Sequence, residues 1–155
     1  MTEHIKNCFT ESVYYDLQET ARYTKLMWAQ TFKKICPELK GVEFGALNML
    51  MQNPGICQRD LAKIILKDRA GTGRVLDVLE AKGYITRKTD TKNNRLVRTM
   101  EITKAGTQMI ENTNKKLLEV FGAFPYNIPQ EEIDNIHASL KKLRDVMSKV
   151  VKIQI

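Results

Sequence analysis

Apolar positions recur at helical spacing along most of this chain and at strand spacing in one place only. Over residues 11–35, Val13, Leu17, Ala21, Thr24, Trp28, Phe32 and Ile35 fall three or four apart, a single stripe on one long helix. Thr10 is placed to cap that helix, Glu11 sits where the helix dipole favours an acid, and Cys36-Pro37 stops it. A second helix near 43–52 carries Phe44, Leu47, Leu50 and Met51 and breaks at Asn53-Pro54-Gly55. Two more follow, near 57–66 and 69–82. Asp68 is a good cap for the later one and Gly83 ends it, while Leu61, Ile64, Ile65, Val75, Leu76 and Leu79 supply a face to bury.

The period then changes. "YITRK" and "LVRTMEI" are rich in β-branched and aromatic residues and are joined by polar "TDTKNN", which predicts a β-hairpin. Its turn bears Asn93-Asn94, residues that tolerate left-handed backbone. Thr103 can cap a helix near 104–121, "GAFPYNIP" interrupts, and a last helix spans about 130–151. In that helix Ile133, Ile136, Leu140, Leu143, Met147 and Val150 alternate spacings of three and four, a heptad seam narrower than burial in a globular core demands. Such a seam packs either into the chain's own core or against a second helix. A long N-terminal helix also in need of a partner favours a dimer interface.

The predicted fold is mainly α with a small β-hairpin wing: a winged helix-turn-helix domain plus a helical dimerisation domain. Residues 1–40 form the N-terminal dimerisation helix and 41–105 the winged helix-turn-helix domain. Residues 106–155 complete the dimerisation domain.

Composition narrows the function. The 43% apolar content is enough for a core, and no run of 18 apolar residues is present to span a membrane. The start, "MTEHIKNCFTESVYY", lacks the apolar region of a secretory signal, so the chain is expected in the cytoplasm. The net charge of +7 is local: residues 58–104 hold twelve Lys/Arg against six Asp/Glu, the rest thirteen against twelve. A basic footprint of this kind suits the counterion release that drives nucleic-acid binding. Cys8, Cys36 and Cys57 lie far apart and form no C-x-x-C pair, and only His4 and His137 could join them. Neither a disulfide framework nor a zinc site is expected, and no cofactor is implied. With no paired acid and base and no nucleophile motif, the chain does not read as an enzyme.

The segment "RAGTGR" at 69–74 admits two meanings. As a phosphate loop it lacks the third glycine of the dinucleotide fingerprint, because Leu76 stands there, and no Gly-Lys-Ser/Thr follows. As the first turns of a helix it places small residues where a backbone must approach a ligand closely. Double-stranded DNA fits: Arg pairs bidentately with guanine, and Thr touches bases or phosphates. Gln58, Arg69, Ala70, Gly71, Thr72, Gly73 and Arg74 are the expected contacts on the helices. Lys88, Lys92 and Arg95 join them from a cationic wing that also carries Arg87 and Arg98 and would lie along a minor groove.

The stretch "QRDLAKIILKDRAGTGRVLDVLEAKGYITRKTDTKNNRLVRTMEITKAG" resembles the core of the MarR family of bacterial transcription regulators. The likeness runs through Gln58, Leu61-Ala62, Arg74, Asp77, Leu79-Glu80, Lys82-Gly83, Ile85, Asp90 and Arg95. It ends at "ITKAG", which stands where the family has Leu-Thr-x-x-Gly, and with the flanking helices it covers nearly the whole chain. The resemblance implies a homodimer, built by interlocking N- and C-terminal helices, on a pseudo-palindromic operator. Such a regulator is usually a repressor released by a small ligand or by oxidation. It also implies an ion pair between Asp77 on the recognition helix and Arg95 of the wing. Asn93 and Asn94 depart from the family's acidic residue and extra arginine, and Gly71 and Gly73 stand where Ser or Thr is usual. The operator sequence does not carry over.

Two switches compete. Tyr14, Tyr15, Tyr23, Met27, Trp28, Phe44 and Met49 could line a place for an aromatic effector, or they are core. The family's peroxide sensors keep a cysteine in the first helix, at a place that falls near Glu19 here, so Cys8 does not match it. Cys57 is expected at a helix N-terminus, where the dipole favours a thiolate. An architectural protein that binds DNA without sequence preference is the remaining alternative.

Overall fold

The computed structural model describes residues 9–122 and 128–152 of the 155. His4, Cys8 and most of "GAFPYNIP" lie outside them. The elements are α1 (Val13–Ile35), α2 (Gly41–Gln52), α3 (Gln58–Ile64), α4 (Arg69–Ala81), β1 (Ile85–Lys92), β2 (Arg95–Ile102), α5 (Lys104–Phe121) and α6 (Gln130–Val150). Among the described residues, no helix is long and apolar enough to cross a membrane. The chain divides into two units, Met1–Gly41 and Val42–Ile155.

In the first unit, α1 is capped by Ser12, whose hydroxyl accepts the Tyr15 amide at 3.2 Å, and not by Thr10 as expected. Residues 9–12 turn too tightly to be helical: the Ser12 amide and hydroxyl both donate to the Phe9 carbonyl. The Phe9 ring then packs on Tyr15 at 5.6 Å, a local apolar clasp over the helix entry. The expected stripe is buried only at its C-terminal end. Phe32 and Ile35 are buried and Trp28 stacks on Phe32 at 4.7 Å, whereas Val13 and Ala21 face outward.

In the second unit the core is Phe44, Ala46, Leu47 and Leu50 of α2, Leu61 and Ala62 of α3, and Val75, Leu76 and Leu79 of α4. Ile85, Met100 and Ile110 complete it. Ile64 does not join it. It lies at the outer end of α3, 43% exposed, because the helix stops there in a turn that points it outward. That turn closes with Lys67 N donating to Ala62 O and Leu66 N to Lys63 O, the double bond of a Schellman stop. The left-handed position falls on Leu66 (φ 52°), where glycine is the usual occupant.

β1 and β2 form an antiparallel pair in the register Arg87↔Met100 and Lys88↔Thr99, closed by Asn93-Asn94 with φ of 51° and 58°. Those two positive values are the type I′ hairpin geometry. Cys57 adds a single antiparallel bridge to Thr99, so the chain before α3 edges the wing. The junction to α5 is built from "ITKAG". The Thr103 hydroxyl donates to Gly83 O at 2.7 Å and accepts the Gly106 amide at 3.1 Å, while its own amide donates to Tyr84 O. Gly106 lies so close to the Tyr84 carbonyl that a β-carbon there would collide with it.

α6 carries its apolar seam but has no buried residue. Ile133, Leu140 and Leu143 are half-buried, and Ile136, Met147 and Val150 are exposed.

Two substitutions test these backbone assignments by thermal or denaturant unfolding. Leu66→Gly should raise stability by about 1 kcal/mol, since it relieves a left-handed β-carbon whose side chain is mostly in solvent. Gly106→Ala should lower it by roughly 1–3 kcal/mol, as forced overpacking does. The opposite sign for either would mean that its junction is built differently.

Candidate nucleic-acid interface

The N-terminal half of α4 is organised by its cap. Asp68 accepts the Gly71 amide at 2.6 Å, as expected from the sequence. A β-carbon at Gly71 would lie 2.8 Å from Asp68 Oδ1, the free end of a side chain that would have to shift slightly to admit it. Gly73 is different: an added β-carbon would meet only Gln58 Nε2, at an ordinary 3.5 Å. Packing therefore does not demand Gly73. Gln58, at the first turn of α3, is brought onto the face of α4 expected to meet DNA.

Thr72 is corrected. Its side chain is fully buried and its hydroxyl donates back to Asp68 O at 2.8 Å, so it braces the first turn and cannot reach a base. Arg69, Ala70 and Arg74 are exposed on that turn and the next, and neither arginine is in an ion pair among the described residues. The reaching groups of the helix are thus two free guanidinium groups around a small-residue surface.

The expected ion pair between Asp77 and Arg95 is also corrected. Asp77 pairs with Arg87, whose Nη2 lies 2.6 Å from Asp77 Oδ1. The same Nη2 is 2.6 Å from Glu80 Oε2, and Arg87 Nε donates to that oxygen at 2.8 Å. Strand alternation explains the choice. Ile85 is buried, so Arg87, two residues on, faces the same side of the hairpin toward α4. Arg95 begins β2 beside the turn, paired across with Lys92. Asp77 and Glu80, three apart on one face of α4, were a sequence signal for a clamp.

The alternation also sorts the wing cations. Lys88, Lys92 and Arg95 share one face and Arg87 and Arg98 the other. Lys88 pairs with Glu101 at 2.6 Å, which leaves Lys92, Arg95 and Arg98 outside any ion pair among the described residues. Glu80, Arg87, Lys88, Thr89 and Arg98 line an open polar cleft of about 280 Å³.

Cys57 stands at the N-cap of α3, but its thiol donates to Asp60 Oδ2 at 3.1 Å and makes no cap bond. That hydrogen bond, with a second from Lys63, holds the Asp60 carboxyl below its ordinary value. Of the residues suggested for an effector, Tyr14 and Tyr23 are exposed on α1, and Tyr15, Met27 and Trp28 are half-buried there. In the second unit Phe44 is buried core and Met49 half-buried.

Helix, turn, helix and cationic hairpin in this order define a winged helix-turn-helix protein. Residues 38–96 match the model of the MarR family, which bears out the resemblance seen in the sequence. Solved structures agree in fold. The transcriptional regulator SlyA aligns over 89% of this chain and 95% of its own with a TM-score of 0.72 at 21% identity. A Staphylococcus aureus MepR–DNA complex aligns over 88% and 96% with a TM-score of 0.68 at 20% identity. The PcaV regulator from Streptomyces coelicolor, in complex with its natural ligand, aligns over 88% and 94% with a TM-score of 0.71 at 16% identity. No curated protein matches the sequence. This chain therefore shares the winged-helix fold of these MarR-family transcription regulators, and its residues 38–96 match the family's model.

The Glu80 carboxyl is held below its ordinary value of 4.5, chiefly by the Arg87 hydrogen bond. A depressed carboxylate stabilises the folded state above that value and loses its contribution as the pH falls through the lowered one. Melting curves of the protein and of Glu80→Gln should differ at neutral pH and converge well below pH 4.5. A gap that persists unchanged in acid would show that the carboxylate charge is not what Arg87 engages.

Proposed function

We propose that this protein is a homodimeric, sequence-specific transcription regulator, a repressor that binds a pseudo-palindromic operator and is released by a small ligand. The observation that carries it is the pair of exposed, unpaired arginines, Arg69 and Arg74, on the first turns of α4. A wing bearing Lys92, Arg95 and Arg98 accompanies them on the same domain. The helix reads the major groove while the wing cations follow a minor groove. A neighbour of the same fold that is solved with DNA supports the assignment.

Dimerisation is inferred from apolar surface the chain leaves uncovered. No residue of the α6 seam is fully buried, with Ile136, Met147 and Val150 exposed, and α1 exposes Val13, Tyr14, Tyr23 and Leu26. In this proposal residues 1–40 and 106–155 form the dimer and 41–105 bind DNA. A small ligand is the favoured release signal, by analogy with PcaV, which is solved in complex with its natural ligand.

Fluorescence anisotropy with the DNA upstream of this protein's own gene, against a scrambled duplex at two salt concentrations, tests the proposal. A preference of about a thousandfold is expected of an autoregulating operator binder. Arg74→Ala should cost about 1–3 kcal/mol of that specific binding. Equal, salt-sensitive binding to both duplexes, and to a library of genomic fragments, would instead identify an architectural protein. A monomer by light scattering would remove the palindromic operator.

A further inference from the structure

We propose that Leu96 is an apolar wedge that the wing tip inserts between base pairs in the minor groove of bound DNA, an inference that rests on the DNA-binding function proposed above. Leu96 is 79% exposed, more than any other large apolar side chain among the described residues. The register pairs it with Thr91, the second cross-strand pair from the Asn93-Asn94 turn. It therefore stands on the same face as Arg98 and about 7 Å further out along the strand, at the rise of an extended chain.

A single exposed leucine on a protein surface is ordinary. This one has uncommon company. From residue 91 to 98 the wing carries Lys92, Arg95 and Arg98 and no acid, and none of the three cations is held by an ion pair among the described residues. Lys92 and Arg95 face each other on the opposite side of the ribbon and Arg98 lies behind Leu96. The apolar side chain is thus bracketed by cations on both faces, a charge pattern complementary to a groove walled by phosphates and floored by base edges. A protein surface offering acids would pair with the cations but would give the leucine no reason to stand at the tip.

At the floor of the minor groove an apolar side chain has no hydrogen bond to make with the base edges, and the wedge mode open to it is to part a base step, which unstacks it and bends the duplex away by roughly 20–90°. Pyrimidine–purine steps part most easily. Leu96 would then add a preference for a flexible step where the wing lands, outside the bases that α4 contacts. Burying a leucine and unstacking one step are of similar size and opposite sign, so the wedge governs shape and sequence preference more than affinity.

The test uses duplexes that the full-length protein itself selects from a random library, with 2-aminopurine placed in turn at each step flanking the selected core. End-to-end energy transfer reports the bend. With the unaltered protein, fluorescence should rise several-fold at one flanking step in each wing's landing zone, and the DNA should bend. Leu96→Ala should abolish both while keeping affinity within about tenfold, given the opposing terms, and Leu96→Phe should restore them. An unchanged fluorescence rise and bend with Leu96→Ala, or no rise with the unaltered protein, would overturn the wedge and leave DNA binding standing. Failure to select or bind any duplex would overturn both.

Discussion

The relation between the recognition helix and the wing depends on one guanidinium group. Arg87 is mostly buried, with 15% of its side chain exposed, and reaches both Asp77 and Glu80 of α4 from the first strand of the hairpin. A two-stranded ribbon is marginal by itself in water, and two anchors orient this one. Ile85 and Met100 enter the core, and Arg87, two residues after Ile85 and directly across from Met100, ties the strand to the helix. The single bridge from Cys57 to Thr99 guards the other edge. A hairpin held at its base and free at its tip has a fixed direction and an adaptable end, which suits a groove whose width varies with sequence.

The start of α4 reconciles stability with access. A helix N-terminus exposes amide groups that bind phosphate readily, yet here Asp68 already occupies the Gly71 amide and Thr72 folds its hydroxyl back onto the Asp68 carbonyl. One amide of the turn is therefore already taken, and by a negative cap. A carboxylate at this helix end, together with the missing glycine, speaks against a phosphate loop in "RAGTGR". What remains free at this end of the helix is side-chain charge, on Arg69 and Arg74. The preceding turn carries a strain that no local rule suggests, a leucine in left-handed conformation at the stop of α3.

Much of this was determined by the sequence alone. Helix spans, the Asp68 and Thr103 caps, the Asn93-Asn94 turn and the cationic stretch follow from local chemistry: hydrogen bonds between residues three or four apart, and side-chain conformational preferences. Those interactions are complete within a few residues, so the chain displays them in its order. The likeness to MarR regulators was equally legible, because the spacing of Asp77, Gly83, Arg95 and "ITKAG" is itself a local pattern.

Only tertiary structure decided which groups pair across elements. Asp77 has several arginines within plausible reach by sequence, and the pleat of β1 selects Arg87 by turning it to the side of the buried Ile85. Thr72 is polar and sits among exposed neighbours in the sequence, but the helix phase places it inside, where its hydroxyl must find the Asp68 carbonyl. Gly106 is one glycine among eight until the Tyr84 carbonyl arrives beside it. Each of these depends on the approach of chain segments distant in sequence or on the phase of a helix against its core. Charge and polarity name the candidates for such contacts, and packing geometry chooses among them.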